Sequence, residues 1–218
     1  MKTIKIRNSS KECEIGKIVC VGRNYMEHAH ELGNEVPEKP VIFLKPTSAV
    51  IYSGDKITYP CYSKKMHHEV ELVLLLGKTI KDASLNEAEY AITAYGVGLD
   101  MTLRDVQSKL KQKGHPWTVA KCFDTSAVLS NFVLKEEYTL SLAEEIFLSV
   151  NNIERQRDKL SKMIFKPAEI LRYISSLMTL EKGDLVYTGT PKGVGFVIKG
   201  DIIKAGIEGI AELTAKVA

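Results

Sequence analysis

The chain has 218 residues, of which 44% are hydrophobic and 26% charged, and this balance excludes an intrinsically disordered protein. Thirty basic residues against 27 acidic ones leave a net charge of +3, too small to indicate nucleic-acid binding. The sequence contains neither a run long enough to span a membrane nor the apolar core of a signal peptide. None of the four cysteines forms a C-x-x-C pair, so we expect reduced, mostly buried thiols in the cytoplasm or another reducing compartment.

Short β-branched or alternating segments bounded by turn residues predict strands. In chain order these are Lys17–Gly22, Val41–Lys45, Glu69–Leu76, Ala94–Leu99, Phe147–Val150, Asp184–Thr188 and Ile210–Val217. Capping and stop signals predict helices from Asn24 to Gly33, from Ser84 to about Thr93, from Thr102 to Gly114, and from Pro167 onward. Because strands and helices do not alternate regularly, the pattern favours a β-rich α+β fold over a doubly wound parallel sheet. We expect one domain over residues 1–218, with about residues 1–16 as a short N-terminal extension.

Two carboxylates stand side by side in the stretch 67–77 (HHEVELVLLLG). Side chains two apart on a strand share a face, so Glu69 and Glu71 point the same way, and their repulsion favours either a proton or a bound cation. A third acid, Asp100, ends the apolar segment 94–100, whose two glycines would let another backbone approach. Oxygen ligands alone favour Mg²⁺ or Mn²⁺ over zinc. The alternative is an exposed row of acids at the edge of a sheet.

A second group of polar residues lies in the stretch 21–31 (VGRNYMEHAHE). On a helix, His28 and Glu31 are three residues apart and share a face, so the carboxylate can orient the imidazole as a base. His30 is a competing base on another part of the same helix. The alternative is an ordinary solvated helix face.

Two further segments carry residues that suit an anionic substrate. Lys121 ends the short apolar stretch 117–121 and could neutralise a developing enolate, unless it is an ordinary surface lysine. The segment 187–195 runs from a strand into a glycine-rich loop that is neither a P-loop nor a dinucleotide fingerprint. Its backbone N–H groups and Thr190 can still meet a substrate carboxylate.

Together these stretches resemble the fumarylacetoacetate hydrolase family, in its short, single-domain, acylpyruvase-like branch. The resemblance extends from about residue 17 to residue 217, and its motifs occur in the order found in the family. They are VGRNY (21–25), His28-x-x-Glu31, FLKP (43–46), HHEVEL (67–72), LDMTLRDVQ (99–107), PWTVAK (116–121), MIF (163–165) and GDLVYTGTPKGVG (183–195).

The resemblance implies a mixed β-roll like the C-terminal domain of fumarylacetoacetate hydrolase, with a few peripheral helices, and a homodimer. It also implies a Mg²⁺ or Mn²⁺ cofactor and a segment around His28 that acts as a mobile lid. The implied site residues are the metal ligands Glu69, Glu71 and Asp100, the catalytic residues His28, Glu31 and Lys121, and the substrate contacts Arg23, Gln107 and Thr190.

The function implied is cleavage of a C–C bond in small 2-oxo acids through a metal-stabilised enolate, either by acylpyruvate hydrolysis or by oxaloacetate decarboxylation. Two alternatives remain open from the sequence. One is an isomerase or decarboxylase of 2-hydroxyhepta-2,4-diene-1,7-dioate type in aromatic degradation. The other is a non-catalytic, metal-binding β-rich protein.

Overall fold

The computed structural model describes residues 1–9, 12–31, 33 and 35–218. Within them the strands, in chain order, are β1 (Thr3–Lys5), β2 (Glu12–Glu14), β3 (Ile18–Gly22), β4 (Val41–Lys45), β5 (Val50–Tyr52), β6 (Lys56–Ile57), β7 (Met66–His68), β8 (Val70–Leu76), β9 (Ile92–Asp100), β10 (Thr102–Leu103), β11 (Ala127–Leu129), β12 (Val133–Leu134), β13 (Glu145–Val150), β14 (Ile153–Lys159), β15 (Leu185–Tyr187), β16 (Gly195–Val197), β17 (Ile202–Ile207) and β18 (Ala211–Val217). The helices are α1 (Met26–Glu31), α2 (Leu85–Ala91), α3 (Arg104–Gln112), α4 (Thr118–Lys121) and α5 (Pro167–Leu177), with 3₁₀ turns at Thr47–Ala49 and Leu160–Lys162.

The largest sheet has the strand order β4-β3-β15-β8-β9-β11-β5, with β12 also pairing with β9. It is mixed, because β15 pairs in parallel with β3 and β11 with β5, whereas the central β8–β9 pair is antiparallel. A second sheet has the order β14-β13-β17-β18-β6, and a small one the order β10-β7-β16. This strand-rich α+β architecture with few helices confirms the predicted fold class.

Strand β8 lies at the centre of the molecule and is buried along its whole length. Val70, Leu72 and Leu74 join the larger apolar cluster, while Val73 and Leu75 on the opposite face join a smaller one. Burial on both faces explains why the segment reads as a continuous apolar run. The strand is therefore a rigid support for the acids at its N-terminal end.

The two glycines of β9 make room for side chains rather than for another backbone, so the prediction is wrong on this point. A Cβ on Gly98 would come within 2.4 Å of the Tyr187 ring, and one on Gly96 within 2.7 Å of the Phe132 ring. Both aromatic rings are buried against β9. The glycines thus let the sheet pack tightly next to the strand that ends in Asp100.

All seven predicted strands are present, with ends shifted by no more than two residues. Ser84 and Glu87 form a capping box at the start of the helix predicted from Ser84, but that helix ends at Ala91 because β9 begins directly afterwards. The helix predicted from Thr102 begins at Arg104, since Thr102 and the residue after it pair with β7.

Asn24 does not cap α1, contrary to the prediction, because the helix begins only at Met26. Its side-chain amide instead donates to the carbonyls of Phe165 and Thr188 and accepts from the Phe165 N–H. Asn24 therefore connects the start of α1 by hydrogen bonds to the loop at Phe165 and to the loop at Thr188.

The four cysteines are free thiols, as expected, but only Cys20 is buried; Cys61 is exposed and the other two are intermediate. The prediction of mostly buried thiols is therefore wrong. Among the helices of the described residues, none is long and apolar enough to cross a membrane.

Candidate active site and metal centre

The antiparallel pairing of β8 with β9 brings the three predicted acids together. Glu69 precedes β8, Glu71 lies in it, and Asp100 ends β9 opposite them, with the Asp100 N–H donating to the Glu69 carbonyl at 2.9 Å. One oxygen of each carboxylate lies within 4.8 Å of the others. The three residues are between 0% and 4% exposed, so the alternative of an exposed acidic edge is wrong.

Three cations contact two of these acids. Lys121 Nζ lies 2.9 Å from a Glu69 oxygen and 2.5 Å from an Asp100 oxygen. Lys45 Nζ lies 2.8 Å from the other Asp100 oxygen, and the Arg104 guanidinium donates to Glu69. Burial opposes the charge on Glu69, yet Lys121 and Arg104 hold its pKa below the usual value.

Glu71 is the acid that lacks such a partner. Its carboxylate forms no ion pair with the described residues and accepts a hydrogen bond from the Gly189 N–H at 2.6 Å. Burial, together with the charges of Asp100 and Glu69, raises its pKa well above the usual value. Oxygen Oδ1 of Asp100 is also buried, and although it forms an ion pair with Lys45, it accepts no hydrogen bond from the described residues. A divalent cation would satisfy both groups, so the donor set fits a hard metal ion.

Lys121 is a buried residue of the site, and the alternative of a surface lysine is wrong. Its side chain is 4% exposed and also lies 2.6 Å from the Thr102 hydroxyl. Burial disfavours its charge, but Asp100 and Glu69 raise its pKa above the usual value. The ammonium therefore stays charged, 4.7 Å from the centre of the Phe43 ring.

His28 is buried at the inner face of α1, with Nδ1 3.4 Å from an oxygen of Glu31. Both Glu31 oxygens also accept from the Gly193 N–H at 3.1 Å, which fixes the carboxylate against the glycine-rich loop. Burial lowers the pKa of His28, while Glu69 and Glu31 act to raise it. A lowered pKa means that the ring is neutral at pH 7 and can accept a proton. His30, the competing base, is exposed to solvent.

A cavity of about 110 Å³ joins these groups. Of the nine predicted site residues, eight line it and the ninth, Glu31, reaches it through His28. Arg23 holds a φ of 59°, an uncommon conformation for a residue with a side chain, as found at ligand-binding positions. The cavity is small beside the roughly 300–1,000 Å³ of drug-sized pockets, which suits a small substrate. The lining is formed by Val21, Gly22, Arg23, His28, Phe43, Glu69, Glu71, Asp100, Arg104, Gln107, Ser108, Lys111, Trp117, Lys121 and Thr190.

The sequence did not single out Lys45 and Arg104 as site residues. The fully buried Lys45 ends β4 and donates to the carbonyls of Met101 and Lys121 as well as to the Ser126 hydroxyl. Arg104 begins α3 and also donates to Gln107 at 2.6 Å. Lys45 lies in the FLKP motif and Arg104 in the LDMTLRDVQ motif. A sequence motif does not indicate which charged side chains contact each other in the fold.

Replacing Lys45 with Met should destabilise the protein by about 3–5 kcal/mol, because Asp100 would keep a buried charge after losing this partner. The midpoint of urea denaturation, measured without metal, gives the change. The matched control is Lys135→Met, which breaks the partly exposed Lys135–Glu89 pair and should cost no more than about 1 kcal/mol. Equal effects of the two changes would show that Lys45 is not needed to balance Asp100.

The fold and the site place the protein in a known class of enzymes. The family model described as fumarylacetoacetate (FAA) hydrolase C-terminal matches residues 17–218. The chain therefore belongs to the fumarylacetoacetate hydrolase family, which confirms the resemblance and, together with the enzymes named among its relatives, the prediction of an enzyme.

Individual relatives cover nearly all of the chain. It is 44% identical over 212 residues to the mitochondrial oxaloacetate tautomerase FAHD1 of Bos taurus, covering 97% of this chain and 96% of the relative. It is 47% identical over 195 residues to the mitochondrial oxaloacetate decarboxylase of Dictyostelium discoideum, covering 89% of each. The crystal structure of fumarylpyruvate hydrolase from Pseudomonas aeruginosa with Mn²⁺ and pyruvate superposes with a TM-score of 0.96 at 36% identity, covering 100% of this chain and 95% of that one.

Proposed function

We propose that the protein is a Mg²⁺- or Mn²⁺-dependent enzyme that cleaves a C–C bond in small 2-oxo acids, with oxaloacetate as the first candidate substrate. The observation that carries the proposal is the buried group Glu69, Glu71 and Asp100, in which Glu71 has no cationic partner among the described residues. The Pseudomonas structure contains Mn²⁺ and pyruvate, and two relatives are named for oxaloacetate.

The charges of the site support a dianionic substrate. Lys45, Lys121 and Arg104 form ion pairs with Glu69 and Asp100. Glu71, whose pKa is raised without metal, would lose its proton when a cation binds, and the three acids would then face three cations. A bound divalent cation would add two positive charges and act as a Lewis acid toward the keto oxygen. Arg23 and Lys111 also line the cavity, so the metal-loaded site would carry a net positive charge, which favours an oxo dicarboxylate. The small cavity also favours oxaloacetate over the longer unsaturated dioic acids.

Other residues of the cavity stabilise the enolate, transfer the proton and bind the substrate. Lys121 adds positive charge where the enolate develops, and its buried ion pairs hold it in place without reorganisation. Neutral His28, oriented by Glu31, accepts a proton from water or from carbon. The substrate contacts are Arg23, Gln107 and Thr190, which line the same cavity.

The decisive experiment is turnover of oxaloacetate and acetylpyruvate with Mn²⁺ or Mg²⁺, following pyruvate release. The controls are EDTA, and metal without protein, since free metal ions also decarboxylate oxaloacetate. Metal-dependent pyruvate release is expected, and the ratio of the two rates identifies the main reaction. Metal binding without turnover of either acid would reject the proposal and move attention to the longer dioic acids.

Tautomerisation of oxaloacetate is a second candidate, favoured by the name of the bovine relative and by the buried neutral His28. It needs proton transfer at carbon but no bond cleavage. Loss of the enol absorbance without pyruvate release would identify it in the same assay.

We also propose a homodimer, as the sequence resemblance implies. Phe196 and Ile198 are 70% and 57% exposed and line one groove beside β14, an apolar surface that a second copy would cover. Light scattering coupled to gel filtration should give twice the mass of the chain, and Phe196→Glu should give a monomer. A monomeric native protein would reject this surface as an interface. The cytoplasmic location stays a prediction, and both named relatives are mitochondrial.

A further inference from the structure

Gln156 is a buried amide on a strand that is otherwise open to solvent. It is 1% exposed, whereas no other residue of β14 is buried. The register between β13 and β14 passes from Leu148 opposite Gln156 to Ser149 opposite Glu154, so Arg155 is an extra residue in a β-bulge. A bulge of this kind redirects a side chain and is common beside active sites. Here it accompanies an amide that points inward, toward the loop that follows β15.

The glycine-rich loop packs directly on this bulge. A Cβ on Gly193 would lie 2.0 Å from the Arg155 carbonyl oxygen, and Gly193 holds a φ of +92°. Only glycine fits that conformation and that distance together. The bulge and the loop are therefore one packed unit, and the loop carries Thr190 into the cavity.

Backbone groups fix the orientation of the Gln156 amide. The Val70 N–H, 3.3 Å away, can only donate, so it must face the amide oxygen. The Pro191 carbonyl, 2.9 Å away, can only accept, so it must face the amide nitrogen. His68 Nδ1 lies 3.0 Å from the same amide oxygen. Because that oxygen can only accept, Nδ1 must be the protonated ring nitrogen and donates to it.

The orientation of the Gln156 amide determines whether the Thr190 hydroxyl accepts or donates a hydrogen bond. The Gln156 amide nitrogen lies 2.8 Å from Thr190 Oγ1, so the hydroxyl oxygen accepts that hydrogen bond. A hydroxyl that already accepts here keeps its own hydrogen free for another partner. Thr190 is 3% exposed and lines the cavity that holds the carboxylate group.

We propose that Gln156 is a positioning residue that makes the Thr190 hydroxyl a hydrogen-bond donor to an anionic oxygen of the substrate. It does so from outside the cavity, by joining the strand of the metal-site acids to the substrate loop. The inference deepens the proposed function and rests on it for the identity of the substrate.

The test is the affinity of the Mn²⁺-loaded protein for oxalate, a small dianion that mimics a 2-oxo acid without reacting. Gln156→Glu replaces the donating nitrogen with an oxygen, so the Thr190 hydroxyl turns to donate to it and no longer to the ligand. Oxalate affinity should fall roughly 10- to 100-fold, the loss expected for one hydrogen bond to a charged group. Thr190→Val should lose a similar factor, and Thr190→Ser should keep the affinity.

The double variant Gln156→Glu/Thr190→Val should bind oxalate no more weakly than the weaker single variant, because both changes remove the same bond. The matched control is Thr188→Val, on the same loop, whose buried hydroxyl donates to the Leu72 carbonyl. It should leave oxalate affinity unchanged. Mn²⁺ affinity without oxalate should change less than about twofold in every variant.

Losses that multiply in the double variant, or a loss of Mn²⁺ affinity that accounts for the loss of oxalate, would overturn the positioning role. Unchanged oxalate binding by Gln156→Glu would do the same. If oxalate binding shows the expected coupling but neither oxo acid is turned over, the proposed reaction fails while the role of Gln156 stands. If the native protein with Mn²⁺ does not bind oxalate, both proposals fail.

Discussion

The variant Glu71→Gln should be no less stable than the native protein without metal, but less stable than the native protein with Mn²⁺. The glutamine still accepts from the Gly189 N–H but removes a buried carboxylate that has no ion pair among the described residues. Without metal the variant should be at least as stable as the native protein, because burial raises the pKa of Glu71 and the folded native protein must protonate this carboxyl group, a cost that glutamine avoids. With Mn²⁺ the order should invert, because the variant has lost a charged ligand.

The size of this inversion follows from mass action. Losing a coordinating carboxylate should weaken Mn²⁺ binding more than about 100-fold, beyond the loss expected for an outer-shell partner. At a Mn²⁺ concentration of about 100 times the native dissociation constant, the native protein gains about 2.7 kcal/mol and the variant no more than about 0.4 kcal/mol. Calorimetric titration gives the affinities, and urea denaturation with and without Mn²⁺ gives the stabilities.

A second buried glutamate supplies the control. Glu144 is 7% exposed and its Oε1 accepts from Tyr138 and Ser141, outside the residues that line the cavity. Glu144→Gln should leave Mn²⁺ affinity unchanged. Native Mn²⁺ affinity in Glu71→Gln would reject Glu71 as a ligand.

His28→Ala should separate the two cleavage reactions. Hydrolysis of acetylpyruvate needs a base to activate water, so its rate should fall about 10²- to 10⁴-fold. Decarboxylation of oxaloacetate needs no attack by water, and its rate should fall less than about tenfold. Both rates are measured by pyruvate release at saturating Mn²⁺, after confirming that the variant binds Mn²⁺ as the native protein does.

His30→Ala is the control for this experiment, since His30 lies on the same helix but faces solvent. Both reactions should proceed at native rates in that variant. Equal losses in the two reactions for His28→Ala would contradict the expectation that hydrolysis depends on His28 more strongly than decarboxylation does.

Local sequence signals predicted four of the five helices and seven of the 18 strands of the described residues, because those signals act between near neighbours. The capping box of Ser84 and Glu87 and the proline at the start of α5 lie within one helical turn. Strand β14, which the sequence did not predict, carries mostly exposed polar residues. Its place is set by pairing with β13, which no local pattern specifies.

The sequence by itself determined the fold class, the family and eight of the residues that line the cavity, because alternation, caps and the spacing of short motifs are local properties. Only the tertiary structure decided which charges meet. Lys45 reaches Asp100 from another strand, and Gln156 reaches Val70 across 86 residues of chain. Glu71 is buried without an ion-pair partner among the described residues, whereas Arg104 from α3 and Lys121 from α4 both contact Glu69. Burial and charge pairing depend on the packing of distant segments, and those two properties define this site.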